Sequence, residues 1–258
     1  MVKSNGDYLF YYSRQKSKLY LIRTPFDTAE GTIDLQRAKI EKVFPLPKKM
    51  RDVKMLLKGD TLVLIGNYWL GKPTNLDLFD GIKTLVLVLD VSNLPKWKLL
   101  RLDVLDGDFT DARMLDSQIV VFPSRYIRWY RLLERKTFED LDTSQFLPKA
   151  VDVALDPQNA NLRLKGKKLP FRVDVQKADC KEVYYSLPDK KTLEKFNMDP
   201  AFSVIYKIPL DTDLDVATNV IFGSSKTQYV SYKNIYLLSS VWLGDDVKCS
   251  NARCFFLP

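Results

Sequence analysis

The chain contains no histidine. That single absence removes every Ser-His or Cys-His nucleophile and every His-ligated metal centre. Cysteine is scarce too: Cys180, Cys249 and Cys254 are an odd set that cannot all pair within one chain. Glycine numbers 10 and proline 13 in 258 residues, which excludes collagen-like and low-complexity chains. The nearest pair of glycines to a phosphate cradle, Gly66 and Gly71, has Trp69 between them and does not form one. No apolar run approaches the ~20 residues of a membrane helix, so no transmembrane segment is expected. The amino end has no basic n-region, no long apolar h-region and no small-residue cleavage site. It reads as a cytosolic protein or as one whose leader has been removed.

What is present is apolar and aromatic: 46% of residues are hydrophobic, with 14 Phe, 13 Tyr and 4 Trp. Such a chain buries a sizeable core as one domain over residues 1–258. The net charge is +8. The surplus is thin along the chain, densest at Arg163, Lys165, Lys167 and Lys168 and at Arg125, Arg128, Arg131, Arg135 and Lys136. A nucleic-acid binder concentrates charge on one stripe and interleaves aromatics. The reading here is a solvated basic surface and no nucleic-acid partner.

The apolar runs are short, rich in Val, Ile, Leu, Tyr and Phe, and bounded by turn residues, which marks strands. Helical periodicity is limited to one candidate, residues 127–141, with an insertion expected at about 125–170. A strand-turn-strand shape recurs. It opens as Val2-Lys-Ser-Asn-Gly-Asp-Tyr-Leu-Phe-Tyr-Tyr and returns as Val53-Lys-Met-Leu-Leu-Lys-Gly-Asp-Thr-Leu-Val-Leu-Ile. With Tyr8, Leu62, Ile119, Tyr184 and Ile235 as anchors, the spacings are 54, 57, 65 and 51 residues. Between anchors come further strands, at Lys18, Thr84 and Phe202 and then at Ala38, Trp97 and Leu214. Four antiparallel strands per unit at this period is the pattern of a β-propeller blade. One such sheet cannot hide both faces, whereas radially stacked sheets hide each other's. The expected fold is all-β: about four antiparallel four-stranded blades, in an incomplete propeller.

Three segments carry a family resemblance. They are the opening Val2–Tyr12 unit, Asp108-Phe-Thr-Asp-Ala-Arg-Met-Leu-Asp-Ser-Gln-Ile-Val-Val, and the ordered series Asp179–Tyr185, Ser203–Ile208, Asn219–Ser225 and Tyr229–Leu237. Together they resemble the secreted bacterial and archaeal proteins that carry a β-propeller distantly related to WD-repeat propellers. The resemblance implies export to the cell envelope or beyond. It also implies a fragment or reduced member, because the family pattern extends past both ends. No catalytic residues come with it.

Chemistry without histidine falls to carboxylates, Lys, Tyr or Cys. Asp103, Asp106, Asp108 and Asp111 lie within nine residues. Paired carboxylates ~5 to ~9.5 Å apart serve glycoside hydrolysis; Asp106-Gly107-Asp108 also reads as a turn between strands. Asp211-Thr-Asp-Leu-Asp215 begins like a calcium loop but has Val216 and Phe222 where glycine and glutamate belong, so a hairpin turn is the reading and no metal is expected. Trp97 reads as wedge packing between blades. Trp69 and Trp242 follow corresponding strands and share Trp-Leu-Gly, which makes them a candidate binding surface at one end of the propeller. Cys249 and Cys254, with four residues between them that begin Ser250-Asn251, are either a disulfide closing a tight turn or two reduced thiols.

The functional expectation is a non-catalytic extracytoplasmic binding or scaffold module that needs no cofactor and recognises a protein or glycan partner through its loops. Two alternatives stand beside it: a carboxylate-dependent glycan-acting enzyme on the same scaffold, and a cytosolic protein-interaction propeller. An incomplete propeller is also expected to form homo-oligomers.

Overall fold

The computed structural model describes residues 1–27, 29–46, 50–69, 82–126, 148–153, 173–177, 183–185, 196–197, 201–210, 214–223, 227–231, 234–238 and 242–243. Among them the only helical turn is a 3-10 turn at Leu35–Arg37; everything else regular is strand. The helix candidate at 127–141 and all three cysteines lie outside the described residues.

Blade 1 is a meander of β1 (Val2–Ser4), β2 (Tyr8–Ser13), β3 (Lys18–Arg23) and β6 (Lys39–Pro45), with a small hairpin of β4 (Phe26–Asp27) and β5 (Thr32–Ile33) before its last strand. Blade 2 is β7 (Met50–Lys58), β8 (Thr61–Trp69), β9 (Ile82–Asp90) and β10 (Lys98–Asp106). Blade 3 opens with β11 (Asp108–Met114) and β12 (Gln118–Tyr126). The chain then makes a long connection that contains β13 (Lys149–Val153), β14 (Val173–Lys177), β15 (Val183–Tyr185) and β16 (Phe196–Asn197). It completes the blade with β17 (Ala201–Pro209) and β18 (Ala217–Phe222). A fourth unit begins with the hairpin β19 (Thr227–Val230) and β20 (Ile235–Leu238), followed by β21 (Trp242–Leu243) paired with β16.

The alternation of strand side chains explains the stacking. Leu62, Leu64, Leu85, Leu87 and Leu89 pack with Phe10, Tyr12, Leu19 and Leu21 of blade 1. Their neighbours Val63, Ile65, Val86 and Val88 pack with Ile119, Val121, Val204 and Tyr206 of blade 3. Blade 3 repeats the pattern, with Val120, Phe122 and Ile205 set against Val230, Ile235 and Leu237 of the fourth unit. A strand buried on both faces is apolar at every position, which is why Leu85–Leu89 shows no alternation in hydropathy. Each fully buried Leu or Ile contributes roughly 1.5–3 kcal/mol to this stacking.

Four of the five repeat anchors occupy equivalent places: Tyr8, Leu62, Ile119 and Ile235 all lie on the second strand of a unit. Tyr184 does not. It lies on β15, pairs in parallel with Ile221 of β18 and is 61% exposed. The reason is topological: after β12 the chain leaves the meander, and β13 and β14 extend blade 2 beyond β10 while β15 extends blade 3 beyond β18. The segment around Tyr184 has the composition of a blade strand but serves as an edge cover.

Candidate functional site

The register of the meanders places every blade-to-blade link at one end of the array. Pro45 leads to Met50, Asp106 to Asp108, and Phe222 to Thr227. The connections between second and third strands leave from this same end. In blade 1 that connection is a short turn after Ser13, but in blades 2 and 3 it runs over 70–81 and 127–200. Trp69 is the last residue of β8 and pairs with Ile82 at this end. Trp242 stands seven residues beyond its anchor, as Trp69 does, and pairs with Asn197 from the long connection.

The four carboxylates of 103–111 separate into distinct environments, all on or next to the seam between blades 2 and 3. Asp106, fully buried at the end of β10, accepts from Lys83 Nζ of its own blade and, at 3.2 Å, from Arg125 Nη1 of the next. Tyr206 is buried beside them. Burial, reinforced by the Asp106 charge, pushes its phenol well above the usual tyrosine range, so it stays protonated. Asp103 is buried against Arg101, whose Nε donates at 2.9 Å and whose Nη1 donates to the Leu214 carbonyl of blade 3 at 2.7 Å. Asp111 pairs with Lys54 and Arg113. Burial disfavours its charge, but the Lys54 and Ala112 hydrogen bonds and the two cations outweigh that and hold the carboxyl below its ordinary value.

Asp108 is different. Among the described residues no cation sits within ion-pair range of it. Burial raises its carboxyl, the nearby charge of Asp52 raises it further, and a hydrogen bond with Asn67 only partly opposes them. Asn67 Oδ1 in turn accepts from the Phe109 amide at 2.6 Å. Asp52, exposed and at φ +51°, sits in an irregularity of β7 where the pairing shifts between Arg51 and Lys54. Here two carboxylates approach with no cation in ion-pair range of Asp108 among the described residues. The turn reading of Asp106-Gly107-Asp108 holds. Gly107 has φ +108°, and a Cβ there would stand 2.9 Å from the Ser124 carbonyl oxygen.

The seam between blades 1 and 2 is built otherwise. Phe44 meets Trp97 edge-on at 5.7 Å, and Lys42 lies 5.5 Å over the same ring. Trp97 is therefore a wedge between blades, with a cation over its face. No group of three Asp, Glu or Cys is placed to hold a metal ion among the described residues. The Asp211–Asp215 segment belongs to the antiparallel connection between β17 and β18; residues 211–213 lie outside the described part.

Sequence reasoning missed Lys83, Arg101, Arg125, Asn67 and Asp52. A signal existed for the first two: Lys83 opens an apolar run, and Arg101 and Asp103 stand two apart on one strand face between leucines. A charge in such a place is retained only with a partner.

The family profile described as "Beta propeller domain" matches residues 1–253. No curated protein and no solved structure matches the chain. The profile spans all three complete blades and the opening of the fourth, and the stacked antiparallel sheets agree with it, so the chain belongs to the β-propeller domain family.

Proposed function

We propose that this propeller is a non-catalytic binding module outside the cytoplasm that recognises a protein or glycan partner with the end bearing the long connections. One observation carries the reading: both long connections, 70–81 and 127–200, leave from the same end, and β16 from the second pairs with the strand that bears Trp242. A rigid stack that gathers its longest connections at one end has the construction of a recognition surface. Three of the four carboxylates of 103–111 are engaged in ion pairs, two of them across the seam between blades 2 and 3. The test is a glycan array and a panel of envelope proteins probed with the wild type, with Trp69→Ala/Trp242→Ala, and with Asp60→Ala in the β7–β8 turn at the opposite end. The expected result is binding that the tryptophan variant loses and the Asp60 variant keeps; equal loss in both sinks the assignment of the end.

A second reading, a carboxylate-dependent glycan-acting enzyme, is favoured by Asp108 and Asp52 alone. A carboxyl whose proton affinity is raised beside a second carboxylate is the arrangement acid–base hydrolysis uses, and burial and the Asp52 charge raise Asp108. Release of a chromophore from aryl glycosides that Asp108→Asn abolishes would establish it; no release from any of them would remove it.

A further inference from the structure

Two long connections leave the same end of the array, and residues at their roots meet at one carboxylate. The connection 70–81 returns to its sheet at Ile82, and Lys83 is the next residue. The connection 127–200 departs after Tyr126, and Arg125 is the residue before that. Arg125 also pairs in register with Phe202, one residue past Ala201, where the same connection returns. Asp106 accepts from both cations, with Oδ1 toward Lys83 and Oδ2 toward Arg125 at 3.2 Å. The link that follows ties the same two roots a second time. Thr84 Oγ1 donates to the Gly107 carbonyl at 3.0 Å, and Asp108 pairs with Ser124.

Blades in this array are not joined this way in general. The corresponding pair of third and fourth strands at this end is Lys18 with Pro45 in blade 1 and Phe202 with Phe222 in blade 3. Blade 2 alone of the three sets a cation against a carboxylate there. Its seam with blade 3 is also one that has a long connection on each side. Val63, Ile65, Ile119 and Val121 already join the two blades by apolar packing, which has no direction. A buried ion pair adds little stability over an apolar pair of similar volume; what charge-assisted hydrogen bonds add is fixed geometry.

We propose that Asp106 is a positioning residue of the recognition end: one carboxylate sets the roots of both long connections at a fixed spacing across the seam, so that the two connections present one surface. Recognition by loops needs such support from the elements that carry them. The role rests on the reading of this end as the binding surface, whereas the spacing is testable without a ligand.

Hydrogen exchange on the full chain, read by mass spectrometry, is the test. Arg125→Met leaves the Lys83–Asp106 pair within blade 2. Exchange at Ile82–Thr84, the root on the far side of the seam, is expected to rise about tenfold while 62–65 and 119–122 keep wild-type protection. Arg125→Lys keeps the charge and is expected to return most of the lost protection. Lys54→Met breaks a different ion pair across the same seam, to Asp111, and is expected to leave Ile82–Thr84 unchanged. Arg125→Gln repeats the test should Arg125→Met lose its circular dichroism. The proposal is overturned if Ile82–Thr84 stays protected in Arg125→Met, if it loosens only in step with 62–65 and 119–122, or if Lys54→Met loosens it as much. It is overturned too if Arg125→Lys is as loose as Arg125→Met. The expected exchange pattern in a protein that binds nothing on the glycan array or the envelope panel supports the fixed spacing and overturns the recognition reading alone.

Discussion

Asp106→Ala probes what holds blade 2 to blade 3. Asp106 and Lys83 are 1% and 3% exposed, and Arg125 reaches the same carboxylate from the next blade. Removing the carboxylate leaves the Lys83 ammonium buried without its counter-charge, and breaking a buried pair from one side costs about 3–5 kcal/mol. The whole stability of a domain is about 5–15 kcal/mol. In a chain of this length each kcal/mol moves the melting temperature by about 2–4 °C, so the expected fall is about 6–20 °C. Lys83→Met leaves Asp106 with Arg125, whose side chain is 27% exposed, and costs less, about 1–3 kcal/mol. The double variant Lys83→Met/Asp106→Leu removes both buried charges; it is expected to recover most of the loss, because an apolar pair of similar volume often equals a buried ion pair. Urea titrations followed by circular dichroism measure all three. The reasoning fails if Asp106→Ala lies within about 1 kcal/mol of wild type, or if the double variant is worse than Asp106→Ala.

Three further outcomes follow from the geometry. Gly107→Ala combines φ +108° with a 2.9 Å approach of its Cβ to the Ser124 oxygen, and is expected to cost at least about 1–3 kcal/mol in the same titration; a neutral result would mean that the link between blades 2 and 3 is not held in that conformation. Trp97→Ala removes a half-buried ring lodged between Phe44 and Lys42, for about 2–3 kcal/mol, less than the ~3–5 of a fully buried ring, with loss of near-ultraviolet dichroism from the first seam. For Asp108 the folded carboxyl is raised by burial and by Asp52, so its protonated form is favoured in the fold. Wild type and Asp108→Asn are therefore expected to be equally stable below the ordinary aspartate value of about 3.9, with wild type falling behind as pH rises through and past it; a pH series of melts in which the gap closes on going to neutral pH refutes this.

The blades were legible because their chemistry is local. Leu62–Ile65 and Ile119–Phe122 are apolar on both faces, and only strands covered on both sides read that way. Tyr184 shows where local reading stops. Val183-Tyr-Tyr185 has the right residues for a blade strand, but its parallel partner, β18, is chosen by a connection that the pattern does not encode. The charged seam was illegible for a related reason. Lys83, Asp106 and Arg125 are separated by 23 and 19 residues, and nothing in their neighbours marks them as one cluster. The sequence showed a run of aspartates; only the stacking decides which of them meets a cation. The repeat alone puts Trp69 and Trp242 at corresponding positions, each seven residues past a second-strand anchor.

The edges and the faces of this array are treated differently, and the difference has consequences for assembly. An uncovered edge strand offers a row of backbone donors and acceptors to any other strand. Here β10 is covered by β13 and β14, and β18 by β15. The outer edge of blade 1, β6, carries no such addition among the described residues; it reads Lys39-Ile-Glu-Lys-Val, and its charges include the Lys39–Glu41 pair and Lys42 over Trp97. Charged side chains on an edge oppose strand addition in the plane of the sheet. Ile40 and Val43 alternate with them on the same strand, and the charges guard the edge from between these apolar residues. In-plane addition along β6 is opposed by its own lysines, and a strand that adds there has to bring its backbone past them. Stored at high concentration, the protein is expected to show no rise in thioflavin fluorescence; fibrils that bind thioflavin, and that Lys39→Ala/Lys42→Ala does not increase, would show that the lysines of β6 fail to guard that edge.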